Sequence, residues 1–193
     1  MAVTLALCGC TTERQTDPAQ TATEQLLIST AADRAAKKLA LQIPKGSQVF
    51  VDATNFDAVD SKYAIAAIRA HLMEEGAKLV GDRAKADTIV EIRTGALSVD
   101  QDQLLVGIPA ITLPIPLAGQ FTTPEIAFFK RDRRQGLAKF TAIGYRAADG
   151  SMIASLEPDY GQSHKTQWVV LLVGWTTSDI GPEDDPDHPP QNP

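Results

Sequence analysis

The sequence predicts an α+β domain, two helices packed on a mixed, largely antiparallel sheet. Three observations point there. Apolar residues at helical spacing are concentrated in the first half of the chain, β-branched and alternating segments dominate the last third, and Asp149-Gly150 is a strong hairpin signal. The predicted order is α-β-α-β-β-(apolar loop)-β-β-β-β.

In residues 23–41, Leu27, Ala31, Ala35 and Leu39 recur every four positions, with Ile28 and Ala32 beside them. This is an amphipathic helix with a narrow, alanine-rich face suited to close packing. Pro44 and Gly46 end it. Residues 48–53 (QVFVDA) read as a buried strand. A second helix starts at Asp60 or Ser61 as cap, carries Ile65, Ile68 and Leu72 as its core stripe, and stops at Gly76. Residues 77–80 form a short extended piece. Residues 86–97 form a strand in which Val90, Ile92 and Thr94 alternate with Glu91 and Arg93.

After a loop holding Asp100 and Asp102, residues 104–124 contain no charge over 21 positions. Pro109, Pro114 and Pro116 exclude a regular helix and a central strand, so residues 104–121 are expected to form an apolar, semi-rigid loop. That loop is either a lid on the sheet or an exposed contact surface carried by Ile108, Ile111, Leu113, Ile115 and Leu117. Two strands, 126–130 and 137–147, flank a basic turn, and the Asp149-Gly150 hairpin joins the second to residues 152–156. Lys130, Arg131, Arg133 and Arg134 of that turn are ordinary solvated cations or contacts to anionic lipid headgroups. The run WVVLLVGW, residues 168–175, reads as one strand covered on both faces.

The chain has 193 residues, a net charge of −6, 44% apolar and 6% aromatic residues, which is a globular and not a disordered composition. Its acidity argues against nucleic acid as a partner. Glu183, Asp184, Asp185 and Asp187 supply −4 of the charge, leaving −2 for the rest. With five prolines in the stretch, residues 181–193 are expected to be a solvated acidic tail. Asp184, Asp185, Asp187 and His188 lack a scaffold to hold a metal, and no cofactor or metal is expected. The domain itself is expected over residues 23–180.

Cys8 and Cys10 are the only cysteines. An apolar run ending Leu5-Ala6-Leu7 precedes Leu7-Cys8-Gly9-Cys10, and a polar stretch follows, which is the layout of a secretory signal. The segment resembles a bacterial lipobox, in which the cysteine after the small residue is acylated. The resemblance makes Cys10 the site of lipid attachment (palmitate among the acyl chains), residues 1–22 a signal and polar tether, and Thr11 after it a pointer to the outer membrane, facing the periplasm. A buried amino-terminal strand with two incidental cysteines is the alternative.

The succession VFVDATNF, HLMEEGAKLV, ADTIVEIRTGAL and FTAIGYRAADGSMIAS resembles the periplasmic α/β domain of curli-secretion-channel-type lipoproteins. It is similar also to the amino-terminal domain of the Tol translocation protein, to lipoprotein activators of penicillin-binding proteins and to bacterial lipoproteins of uncharacterised families. The likeness is one of element order and carries no catalytic motif.

Chemistry-bearing residues are sparse. His71 reads as a partly buried, satisfied histidine. Ser163-His164 lacks the G-x-S-x-G of a nucleophile elbow. Asp52, Asp57 and Asp60 do not follow a calcium-loop pattern, and turn formation and capping account for Asp57 and Asp60. The expected function is therefore that of a non-enzymatic envelope lipoprotein, working by protein–protein contact or self-assembly at the membrane. The alternatives are a small periplasmic hydrolase using Ser163, His164 or the Asp52/Asp57/Asp60 group, and a carrier holding an apolar ligand under residues 104–121.

Overall fold

A computed structural model describes residues 19–115, 119–156, 158–171 and 173–181. The class is α+β, as the sequence predicts: two helices lie on one face of a mixed, mostly antiparallel sheet.

Helix α1 (Ala22–Lys37) opens with a capping box. The Thr21 hydroxyl accepts from the Glu24 N–H at 3.3 Å, and the Glu24 carboxylate accepts from the Thr21 N–H at 2.8 Å. It ends four residues before the expected boundary, and Leu39 and Leu41 stay buried beyond it. Strand β1 (Gln48–Asp52) leads to α2 (Ser61–Glu74). Asp60 occupies the cap position of α2, but its carboxylate makes no capping hydrogen bond, so capping does not explain that residue. Gly76, at φ +102°, turns the chain out of α2 into β2 (Lys78–Leu79).

Strands β1 and β2 pair in parallel, as do β1 and residues 88–91 of β3 (Thr88–Ile108). All later pairings are antiparallel. Strand β3 pairs along its whole length with β6 (Ile126–Arg146), and β6 pairs on its other side with β7 (Met152–Ser155) and β8 (Asp159–Val170). Strand β9 (Val173–Ser178) closes the order β2-β1-β3-β6-β8-β9. The Asp149-Gly150 hairpin forms as expected: Gly150 sits at φ +70° and Asp149 accepts from the Ser151 N–H at 2.9 Å.

The core is the layer between the helices and the near half of the sheet. Ala31, Ala35, Ile68 and Leu72 meet Val49, Val90, Ile92, Ala138 and Phe140, all buried, and Phe56 tilts against Phe140 at 5.2 Å. Two glycines let α1 approach the strands backbone to backbone. A Cβ on Gly161 would stand 1.9 Å from the Ala31 carbonyl oxygen, and one on Gly136 would stand 2.4 Å from both the Leu27 carbonyl oxygen and Ser163 Oγ. The small Ala31 and Ala35 complete that contact. Polar clamps hold α1 at its edges. Arg34 pairs with Asp179, Lys38 donates to the Tyr160 carbonyl at 2.7 Å, and Ser163 donates to the Leu27 carbonyl at 2.6 Å.

Three expectations are overturned. Residues 104–108, 112–115 and 119–121 are not a loop. Residues 104–108 are the far end of β3, and β4 (Thr112–Ile115) pairs with β5 (Gly119–Thr122) in a separate hairpin. Pro114 is tolerated because β4 has only one strand neighbour, and proline's missing N–H costs no ladder bond at a position that faces the unpaired side. Residues 131–136 are not a turn but the middle of β6, with ladders on both sides. Gly136 serves the helix approach and not a reversal. Asp100 and Asp102 likewise lie within β3. Finally, WVVLLVGW is two strands that reverse at Leu171, which takes φ +56°, and neither is covered on both faces.

Candidate interaction surface

The sheet outruns its helices. On β6, even-numbered residues from Gly136 to Ala142 face α1 and α2. Cover stops at the start of α1, where Thr23 shares a small cleft with Asp132, Arg134, Lys165 and Gln167. Residues 126–134 of β6 and their neighbours on β3, β8 and β9 therefore have no helix over them.

Alternation along these strands separates two faces. Cross-strand partners share a face, so Leu105, Lys130, Val169 and Gly174 form one row on the helix-side face, and Gln101, Arg134, Lys165 and Ser178 another. This face is mostly polar: Lys130 pairs with Glu125 at 2.7 Å and Gln101 donates to Asp132 at 3.1 Å. The open face carries the rows Leu104, Arg131, Trp168, Trp175 and Val106, Phe129, Val170, Val173, with Ile108 paired to Ile126 beyond them. The Trp168 and Trp175 rings stack at 6.3 Å, and Phe129 meets Trp168 edge-on at 6.1 Å. One row back, Asp102 takes a 2.6 Å hydrogen bond from Arg131. Large apolar side chains stand open to solvent here, Val106 at 54%, Val173 at 65% and Trp175 at 47%.

The four cations expected in one basic turn are thus divided between faces, Lys130 and Arg134 on the helix side and Arg131 and Arg133 on the open side. Sequence neighbours on a strand point in opposite directions. Of the expected contact residues, Ile108, Ile111 and Leu113 are 52%, 49% and 50% exposed, which makes them surface and not lid. Ile115 ends β4, Leu117 lies outside the described residues, and so does Cys10. Leu113 pairs with Phe121 on the hairpin, so this piece also has an apolar side. Phe129, Trp168, Trp175, Leu104 and Val106 gather on this open face, a grouping that sequence reasoning missed. Their signal was the alternation of Leu104, Val106 and Ile108 with the tryptophans ending WVVLLVGW. Their convergence depends on register.

The chemistry-bearing residues do not converge. Ser163 faces α1, buried, with its hydroxyl committed to Leu27, while His164 is on the opposite face of β8, with Nδ1 3.1 Å from Asp179. Asp179 also accepts from the His164 N–H at 2.6 Å. Burial pushes its carboxyl up, but these hydrogen bonds and Arg34 outweigh that and hold it below the ordinary aspartate value. Asp52 accepts from Thr54 and from Arg83 at 3.0 Å and is likewise lowered, first by the Thr54 hydroxyl. Asp57 is exposed. His71 is partly buried, as expected, but not satisfied: its ring nitrogens lie 3.6 and 3.5 Å from Glu74 and Glu75 and make no hydrogen bond. Among the described residues no group of three or more His, Cys, Asp or Glu could hold a metal ion, and no helix is long and apolar enough to cross a membrane.

Residues 2–170 match a protein-family model described as a family of unknown function, a span that takes in both cysteines and every strand except β9. No curated protein matches the sequence.

Proposed function

The chain belongs to the DUF6655 family, a family of unknown function, and we propose, from its lipobox-like amino-terminal segment, that it is a cell-envelope lipoprotein anchored through Cys10, and, from the geometry of its sheet, that it works by strand-to-strand contact with another protein chain and not by catalysis. The observation that carries this reading is the outer edge of β3. Strand β1 covers it only at residues 88–91. From Arg93 to Ile108 no strand pairs with that edge among the described residues.

An open edge of this length presents a row of unpaired N–H and C=O groups, a template for a strand of another chain. Its last six residues, Gln103 to Ile108, carry no charge to discourage pairing. Strand β9 forms the other margin of the sheet. Seating β9 of one copy on β3 of the next is a heterologous contact, which closes into a ring or extends into a filament depending on the rotation per copy. A second copy is therefore the first partner to test.

The test is light scattering of the full chain carrying Cys8→Ser and Cys10→Ser, across a concentration series, with Gln101→Pro and Asp102→Pro as companions. In an antiparallel ladder, neighbouring residues direct their N–H groups to opposite sides. One of these two prolines therefore removes an outward N–H and leaves the β3–β6 ladder intact. The expected result is a mass that rises with concentration and returns to the monomer in the proline variant that keeps its circular dichroism. A monomer at every concentration overturns the proposal.

A further inference from the structure

We propose that the open face of the distal sheet, bearing Leu104, Val106, Phe129, Trp168, Val170 and Trp175, is seated on the surface of a lipid bilayer when the chain is tethered there. The inference shares with the function above only the anchor. It concerns the face of the sheet, whereas strand addition uses its edge.

The direction of α1 carries the inference. Thr23 lies beside Arg134 and Lys165, Leu27 over Gly136 and Ser163, Ala31 over Gly161, and Lys38 beside Asp159 and Tyr160. Helix α1 therefore runs in the direction of β6, and its first residue points toward the uncovered end of the sheet. Thr21, the cap of α1, stands at that end of the domain.

The reach is sufficient. Arg134 to Ile126 is eight residues of strand, about 26 Å at ~3.3 Å per residue. Cys10 to Thr21 is eleven residues, which extend to at most roughly 36–40 Å. An acyl group on Cys10 can thus lie level with the far end of the sheet without displacing α1.

The face itself fits a lipid surface better than a second copy. Four strands spaced about 4.8 Å apart and five residues at ~3.3 Å each give an apolar area on the order of 300 Å². A stable protein interface takes about 800 Å² from each partner. Trp168 and Trp175, the chain's two tryptophans, are the residue type that favours the boundary between lipid and water. Arg133 shares the face behind them, with Arg131 beside them paired to Asp102, so basic groups stand where headgroup phosphates would lie. The uncharged hairpin, with Ile111, Leu113 and Phe121 exposed, extends from the same end.

Because both tryptophans are on this face, their emission reports its surroundings. The full chain carrying Cys8→Ser is coupled through Cys10 to a maleimide lipid in phosphatidylcholine–phosphatidylglycerol vesicles. The expected result is a blue-shifted emission relative to the uncoupled protein, with quenching by brominated acyl chains. Leu104→Lys with Val106→Lys abolishes both effects. Gln103→Lys, next to Leu104 but on the opposite face, leaves both in place. Emission unchanged on coupling, or a blue shift that grows with protein concentration in the absence of vesicles, overturns the proposal. Either result leaves the edge-pairing reading standing, because light scattering of the uncoupled chain tests that separately.

Discussion

Replacing Gly161 with alanine tests the packing of α1 most directly. The added Cβ would stand 1.9 Å from the Ala31 carbonyl oxygen and 2.5 Å from the Ala35 nitrogen. Ordinary contact begins near 3.4 Å, so α1 must lift by about 1.5 Å over β8. It cannot tilt freely, because Arg34, Lys38 and the Leu27 carbonyl are tied to Asp179, Tyr160 and Ser163. The obstruction is backbone, with no flexible side chain to yield, which places the cost at the upper end of the overpacking range, about 3 kcal/mol. For a chain of this size that lowers Tm by roughly 6–12 °C. Urea denaturation followed by circular dichroism measures it, and Gly81→Ala is the control. Gly81 has open space around its Cβ position and no positive φ, so that variant stays within about 0.5 kcal/mol of wild type. If Gly161→Ala is as stable as Gly81→Ala, α1 does not rest on β8 as described.

Phe140→Ala removes a fully buried ring packed on Phe56 and is expected to cost about 3–5 kcal/mol in the same urea assay. Asp179→Asn weakens the clamp on Arg34 and His164 and is expected to cost about 1–2 kcal/mol at neutral pH. The folded-state pKa of Asp179 is depressed, so its contribution is full above the ordinary aspartate pKa of 3.8 and is lost as the pH falls through the folded value. The stability gap between wild type and Asp179→Asn should therefore narrow below about pH 4. A gap that stays constant down to acid unfolding would refute that assignment. Gly107→Ala places a Cβ 2.1 Å from the Ile126 carbonyl oxygen, and faster amide hydrogen exchange is expected in residues 104–108 while the core amides stay protected.

Helices and near strands were legible because their signals are local. Leu27, Ala31 and Ala35 at helical spacing, Gly76 as stop and Asp149-Gly150 as hairpin each depend on a few neighbouring residues. The capping box of Thr21 and Glu24 was equally local and would have placed the start of α1 more accurately. Misreadings arose where local chemistry pointed one way and long-range pairing another. The run Lys130 to Gly136 has the charge and glycine of a turn, yet ladders with β3 and β8 hold it extended. Gly136 and Gly161 have their reason in the backbone of α1 lying against them, which is distant in sequence. Proline in residues 104–121 was rightly kept out of the central sheet, but a two-stranded hairpin accommodates it.

By itself the sequence determined the class, because apolar periodicity and turn residues act within a few positions of one another. It also determined the scarcity of catalytic motifs. Only the tertiary structure decided where contact could occur. Cross-strand register gathers Leu104, Phe129, Trp168 and Trp175, from four separate strands, onto one face, and the length of α1 decides how much of the sheet is left uncovered. Register and cover are set by packing between segments far apart in the chain, which no window of neighbouring residues contains.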